Sequence, residues 1–146
     1  MRKLWARVNN VQILEANTFI EAQNLQICSI NVNAIEYVDE NAFKGLSNLE
    51  DLSLNQNYIF ELHPNTFLDL WNLKTIKINQ NRITFLQEGL FRNNLKLQEI
   101  DFSGNNIREI SPKIFLALYE LTLVDLRPEI FLTADYIVRL RSMSSI

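Results

Sequence analysis

A frame of 24 residues governs this chain. Residues 49–72 read LEDLSLNQNYIFELHPNTFLDLWN, and residues 73–96 read LKTIKINQNRITFLQEGLFRNNLK, with the same apolar and asparagine positions filled. The first position of each unit holds Met1, Leu25, Leu49, Leu73, Leu97 and Leu121. The fourth holds Leu4, Cys28, Leu52, Ile76, Ile100 and Val124, and the sixth holds Ala6, Ile30, Leu54, Ile78, Phe102 and Leu126. Asparagine recurs at the ninth position (Asn9, Asn33, Asn57, Asn81, Asn105) and phenylalanine at the nineteenth (Phe19, Phe43, Phe67, Phe91, Phe115). Self-similarity at a fixed period marks a repeat architecture, in which each unit buries its apolar face only against its neighbours.

Each unit opens with alternating apolar and polar residues, the pattern of a short strand. Its fourth and sixth positions point to one face, and its third, fifth and seventh to the other. Stacked copies then give a parallel sheet with strands roughly 4.8 Å apart. The second half of each unit returns the chain behind the sheet, where the phenylalanine column, with Leu46, Leu70 and Leu118, closes the core. The ninth-position asparagine falls where the chain bends away and backbone groups lose their ladder partners. An amide carries two donors and an acceptor, enough to satisfy neighbouring turns. Asn9, Asn33, Asn57, Asn81 and Asn105 are therefore expected to form a structural ladder.

Composition narrows the function classes. Only 3 Gly and 3 Pro occur, which argues against disorder and against a turn-rich sandwich. A net charge of -3 implies neither nucleic acid nor an anionic membrane as partner. One cysteine and one histidine leave no material for an internal disulfide and little for a zinc site. No apolar run approaches the roughly 18 residues of a membrane-spanning helix. The opening MRKLWARVNNVQILE lacks the apolar segment of a signal peptide. Cys28 shares a column with leucine and isoleucine and reads as a buried, inert thiol. His63, in ELHPNTF, reads as a surface residue. Glu99, Asp101 and Asp125 lie on a solvated sheet face, which does not split carboxylate pKa values as acid–base catalysis requires. The chain reads as non-enzymatic, with no cofactor and no metal.

The pattern LxxLxLxxNxI, with phenylalanine eight residues on, resembles leucine-rich repeat proteins. The 24-residue length and the phenylalanine column resemble the extracellular subclass found in Toll-like receptor ectodomains and in insect secreted or cell-surface proteins. The resemblance implies an α/β solenoid: a curved parallel sheet on the concave face, with short helical, 3₁₀ or irregular segments on the convex side. It also implies an extracellular or cell-surface location, a cytoplasmic one being the alternative because the chain shows no signal peptide. The function expected is a protein-binding module that recognises a protein ligand or co-receptor through its concave face, in adhesion, signalling or innate immunity. The alternative is an intracellular scaffold that assembles protein complexes.

The repeats are expected over residues 1–126, in units starting near 1, 25, 49, 73, 97 and 121, and a degenerate tail over 127–146. In the last unit Glu129 replaces the asparagine and Arg139 the phenylalanine. Met1 enters at the first position of a repeat, so Leu4, Ala6, Val11 and Leu14 are expected to leave an open apolar edge prone to association. On that reading the chain is a fragment of a longer protein. The candidate partner surface runs from Lys3, Trp5 and Arg7 through Asn31, Asp51 and Asn55. It continues with Thr75, Lys77 and Asn79 and ends at Glu99, Asp101 and Asp125. Charge passes from basic to acidic along it, and complementary charge sets partner orientation and on-rate. Trp5 reads equally as an interface anchor or as a contact to a further repeat.

Overall fold

The computed structural model describes residues 1–111 and 113–128, so the expectations for Glu129, Arg139 and most of the tail lie outside the described residues. The described chain forms β1 (Lys3–Trp5), β2 (Ile13–Leu14), β3 (Ile27–Ser29), β4 (Tyr37–Val38), β5 (Asp51–Ser53), β6 (Thr75–Lys77), β7 (Phe85–Leu86), β8 (Glu99–Asp101), β9 (Glu109–Ile110) and β10 (Leu123–Asp125). The main sheet has six parallel strands in the order β1-β3-β5-β6-β8-β10. Its register shifts by one repeat per strand: Leu4 pairs with Cys28, Cys28 with Leu52, Leu52 with Ile76, Ile76 with Ile100 and Ile100 with Val124. Two further two-stranded ladders, β2-β4 and β7-β9, lie on the flank where the chain leaves the main strands.

One continuous core lies behind the sheet. Leu25, Leu49, Leu73 and Leu97 are fully buried, as are Leu54, Ile76, Ile78, Ile100 and Phe102. The phenylalanine column closes it as a stack. Centroids of Phe19–Phe43, Phe43–Phe67, Phe67–Phe91 and Phe91–Phe115 are 5.6, 6.2, 6.1 and 6.5 Å apart. These separations fall in the range where aromatic pairs add to simple area burial. At the first repeat Leu4, Ala6 and Val11 are half-buried against this core, but Leu14 is buried outright rather than open.

The convex segments are turns. Among the described residues no helix forms, so of the helical, 3₁₀ or irregular segments expected, the irregular kind occurs. Each return carries isolated backbone bonds three residues apart, such as Ala42 N–H to Asp39 O (2.9 Å) and Leu49 N–H to Leu46 O (3.1 Å). Isolated bonds of this spacing reverse the chain without fixing consecutive helical residues.

A second column emerges at the eighth position, just before the asparagine. Val8, Val32, Gln56, Gln80 and Gly104 all take positive φ, between 54° and 68°. The left-handed bend redirects the chain out of the sheet once per repeat, and only Gly104 adopts it without steric cost.

Candidate functional site

The asparagine column binds repeat to repeat. Asn33, Asn57, Asn81 and Asn105 are buried, and each side-chain oxygen accepts a backbone N–H from the preceding repeat: Val11, Ile35, Ile59 and Ile83, at 3.3, 3.1, 3.0 and 3.0 Å. Each amide nitrogen donates both backward and within its own turn, as Asn81 does to Leu54 O and Ile78 O, both at 3.1 Å. Asn9 stands apart. It is exposed, and its amide reaches only Arg7 O, at 3.1 Å. With no repeat before it among the described residues, it has no carbonyl to bridge.

On the face of the main sheet turned away from the core the candidate residues form three columns. The first runs Lys3, Ile27, Asp51, Thr75, Glu99, Leu123, and the second Trp5, Ser29, Ser53, Lys77, Asp101, Asp125. The third holds Arg7, Asn31, Asn55 and Asn79, just beyond the strands. Lys3, Trp5, Arg7 and Lys77 are exposed. Asn31, Asp51, Asn55, Thr75, Asn79, Glu99, Asp101 and Asp125 are half-buried.

Many of these side chains are held within their own repeat. Asn31 donates to Ser29 Oγ at 2.8 Å, and Ser53 donates to Asn55 Oδ1 at 2.7 Å. These amides therefore bond locally rather than to one another along the array. Asp101 accepts from the backbone N–H and the hydroxyl of Ser103, at 2.9 and 2.6 Å. Asp125 receives Arg127 in a forked pair, Nε to Oδ1 at 2.9 Å and Nη2 to Oδ2 at 2.5 Å. That guanidinium holds the Asp125 carboxyl below its ordinary range. The arrangement is a solvent-facing polar surface whose side chains are tied by short local bonds. Among the described residues no group of three or more His, Cys, Asp or Glu is placed to hold a metal, and no helix is long and apolar enough to cross a membrane.

Burial accounts for Cys28, and local bonding on the surface accounts for His63. Cys28 is buried, and burial pushes its thiol up to about 12, which removes nucleophilic thiolate at neutral pH. His63 is exposed, and its Nδ1 accepts the backbone N–H of Asn65 at 3.1 Å.

Sequence reasoning missed Asn94 and the flank. Asn94 sits in the column of Leu46, Leu70 and Leu118, fully buried, with its amide nitrogen on Phe67 O (2.8 Å) and Leu70 O (3.0 Å). A polar residue in a leucine column was the available signal. On the flank, Ile13, Tyr37, Phe60 and Phe85 are exposed apolar residues on consecutive repeats. Apolar residues at outward-facing offsets beyond the ninth-position asparagine were the sign of it.

Comparison with known proteins agrees with this geometry. The family profile described as BspA type Leucine rich repeat region matches residues 7–131 in six copies. Human Mimecan is 37% identical over 59 residues, covering 40% of this chain and 20% of that protein, and Mimecan of Pongo abelii matches equally. The solved TLR13–ssRNA13 complex superposes with a TM-score of 0.77 at 28% identity, over 84% of this chain and 18% of that one. The LRIM1/APL1C complex gives 0.78 at 25% identity, over 84% and 24%. The Drosophila Toll–Spatzle complex shares the fold, with a TM-score of 0.78 at 22% identity over 89% and 18%. The chain thus spans about a fifth of the length of the curated relatives it matches. On six matched copies over most of its residues, the chain belongs to the leucine-rich repeat family.

Proposed function

We propose that this chain is a non-enzymatic protein-recognition module that engages a partner protein through the concave face of its main sheet. The observation that carries this reading is the graded charge on one rigid face. Lys3 and Arg7 stand at one end, Asp51 and Lys77 in the middle, and Glu99, Asp101 and the Arg127-paired Asp125 at the other. Backbone ladders hold the columns in register, so a partner meets preorganised groups and loses less entropy on binding. The carboxylates at the far end disfavour a polyanion lying along the sheet, which supports a protein over a nucleic acid.

The similar structures support a recognition role. One is a complex with ssRNA13, and two are complexes named for two proteins each. The likeness to TLR13, LRIM1/APL1C and Mimecan supports placing this protein outside the cell or on its surface, in adhesion, signalling or innate immune recognition.

The test is a binding screen of the full chain against a library of secreted proteins and ectodomains, run in parallel with Lys77→Glu/Glu99→Lys. Both side chains are free of ion pairs among the described residues. Reversing them should change stability by only about 0.5 kcal/mol or less. Asp101 is a poorer choice, because it anchors Ser103. A partner that loses tenfold or more in affinity with the reversed pair supports the concave site. A partner indifferent to the swap moves recognition off this face.

A further inference from the structure

The flank ladder breaks at the third repeat. Elsewhere it is continuous: Glu36 N–H donates to Gln12 O at 2.9 Å, and Arg108 N–H donates to Thr84 O at 2.8 Å. The equivalent segment, Phe60–Leu62, joins neither β4 nor β7, and its N–H groups reach no carbonyl of the preceding repeat among the described residues.

The break opens a cavity of about 170 Å³, lined by Tyr37, Asp39 and Glu40 on one repeat, Glu61 and His63 on the next, and Gln87 beyond. That volume holds several waters, at roughly 30 Å³ each, and is large enough for the end of one long side chain. Tyr37 lines it and is 44% exposed, and on the two following repeats Phe60 and Phe85, outside the lining, are 49% and 42% exposed.

The charge of the cavity selects its occupant. Asp39 is used by the Asn41 N–H (2.8 Å), and Glu40 by the Asn65 amide (2.9 Å) with His63 Nδ1 beside it at 3.1 Å, whereas the Glu61 carboxylate has no partner among the described residues. Arg82 is already stacked over Tyr58 at 4.4 Å. We propose that this flank is a second docking surface, distinct from the concave face, for a protein segment that presents an arginine or lysine between apolar residues. The cation enters beside Glu61 and the Tyr37 ring, where it gains both a carboxylate and an aromatic face. The apolar neighbours cover Phe60 and Phe85, and fixed aromatic side chains of this kind dominate many interfaces.

The experiment is an amide NMR titration of the full chain with the blocked tripeptide leucyl-arginyl-leucine, against leucyl-norleucyl-leucine as the uncharged control. Saturable shifts at Tyr37, Glu61 and Gln87 with the arginine peptide only are expected, weakened at least threefold in Glu61→Gln and in Phe85→Ser. Both substitutions are at exposed side chains, so the fold survives them. Equal shifts from the control peptide, an unchanged affinity in Glu61→Gln, or no saturable shift up to 20 mM would overturn the assignment. Shifts at Tyr37 and Phe85 that depend on protein concentration alone would assign the face to a second copy of this chain instead. None of these outcomes bears on Lys77 and Glu99, so the concave reading stands or falls separately.

Discussion

The side-chain oxygen of Asn57 accepts the backbone N–H of Ile35, one repeat earlier, at 3.1 Å. Its nitrogen meanwhile donates to Ile30 O and Leu54 O, both at 3.0 Å. One buried amide therefore satisfies three backbone groups that no strand ladder reaches. Asn57→Ala leaves the Ile35 N–H unpaired and takes one of two donors from Ile30 O, which keeps Asn33 Nδ2 at 3.3 Å, and from Leu54 O, which keeps Asn81 Nδ2 at 3.1 Å, and should cost about 1–3 kcal/mol. Asn9→Ala removes one exposed local bond and should stay within about 0.5 kcal/mol of the parent. Urea melts of the two variants side by side check this. Equal midpoints would mean that water replaces the amide in the interior.

The left-handed column gives a prediction of opposite signs. Gln56 is exposed and held at a φ of 58°. Glycine there relieves about 1–2 kcal/mol of backbone strain and costs about 0.4–1 kcal/mol through the freer unfolded chain. A net gain of up to about 1.5 kcal/mol is expected for Gln56→Gly. Gly104→Ala does the reverse. At a φ of 68° its new methyl would meet Gln80 Cγ at 3.0 Å and Gln80 N at 3.2 Å. Thermal melts that rank the parent between these two variants agree with this account. A stabilised Gly104→Ala would sink it.

Much of this solenoid was legible because period and chemistry coincide. Leucine at position one, aliphatic residues at four and six, and phenylalanine at nineteen each have one buried destination, and the structure puts them there in the inner repeats, with Leu4, Ala6, Phe115, Leu121 and Val124 only partly covered at the two ends. The eighth-position bend was hidden because Val8, Val32, Gln56 and Gln80 carry no turn signal; only Gly104 in SGN does. Asn31 and Asn55 read as an exposed row, yet each is bound to the serine two residues before it, a pairing decided by rotamers that a column alignment does not contain. The flank cavity depends on a ladder bond that fails to form, and backbone bonds leave no mark in side-chain periodicity.

Cys28 links burial to pH. Its thiol is raised to about 12 by desolvation, against about 8.5 in an unfolded chain. The native state therefore keeps a proton that the unfolded state releases. The associated stability is complete below about pH 8.5 and declines as pH rises toward the folded value. Between pH 8.5 and 10 the loss should be about 1.5 kcal/mol for the parent beyond that of Cys28→Val. Denaturant titrations at the two pH values, parent against variant, give the difference directly. Parallel slopes would show that the thiol ionises without unfolding. Labelling by a disulfide reagent at pH 8 should likewise be limited by opening of the native state.

Phe67 occupies the middle of the aromatic stack, between Phe43 at 6.2 Å and Phe91 at 6.1 Å, and is fully buried. Phe19 sits at the end, against Phe43 alone at 5.6 Å. In a linear array each repeat is stabilised by its own contacts and by those to its two neighbours. Phe67→Ala removes both interfaces of the third repeat and should cost about 3–5 kcal/mol. Phe19→Ala removes one interface and should cost less. The two losses should also differ in kind. Weakening the centre uncouples repeats one and two from four and five, so Phe67→Ala should broaden the unfolding transition, whereas Phe19→Ala should fray one end and leave the main transition sharp. Native-state hydrogen exchange separates the two: the Ile76 and Ile100 amides should stay protected in Phe19→Ala and lose protection in Phe67→Ala. Uniform loss at every repeat in both variants would mean that the solenoid unfolds as one indivisible unit.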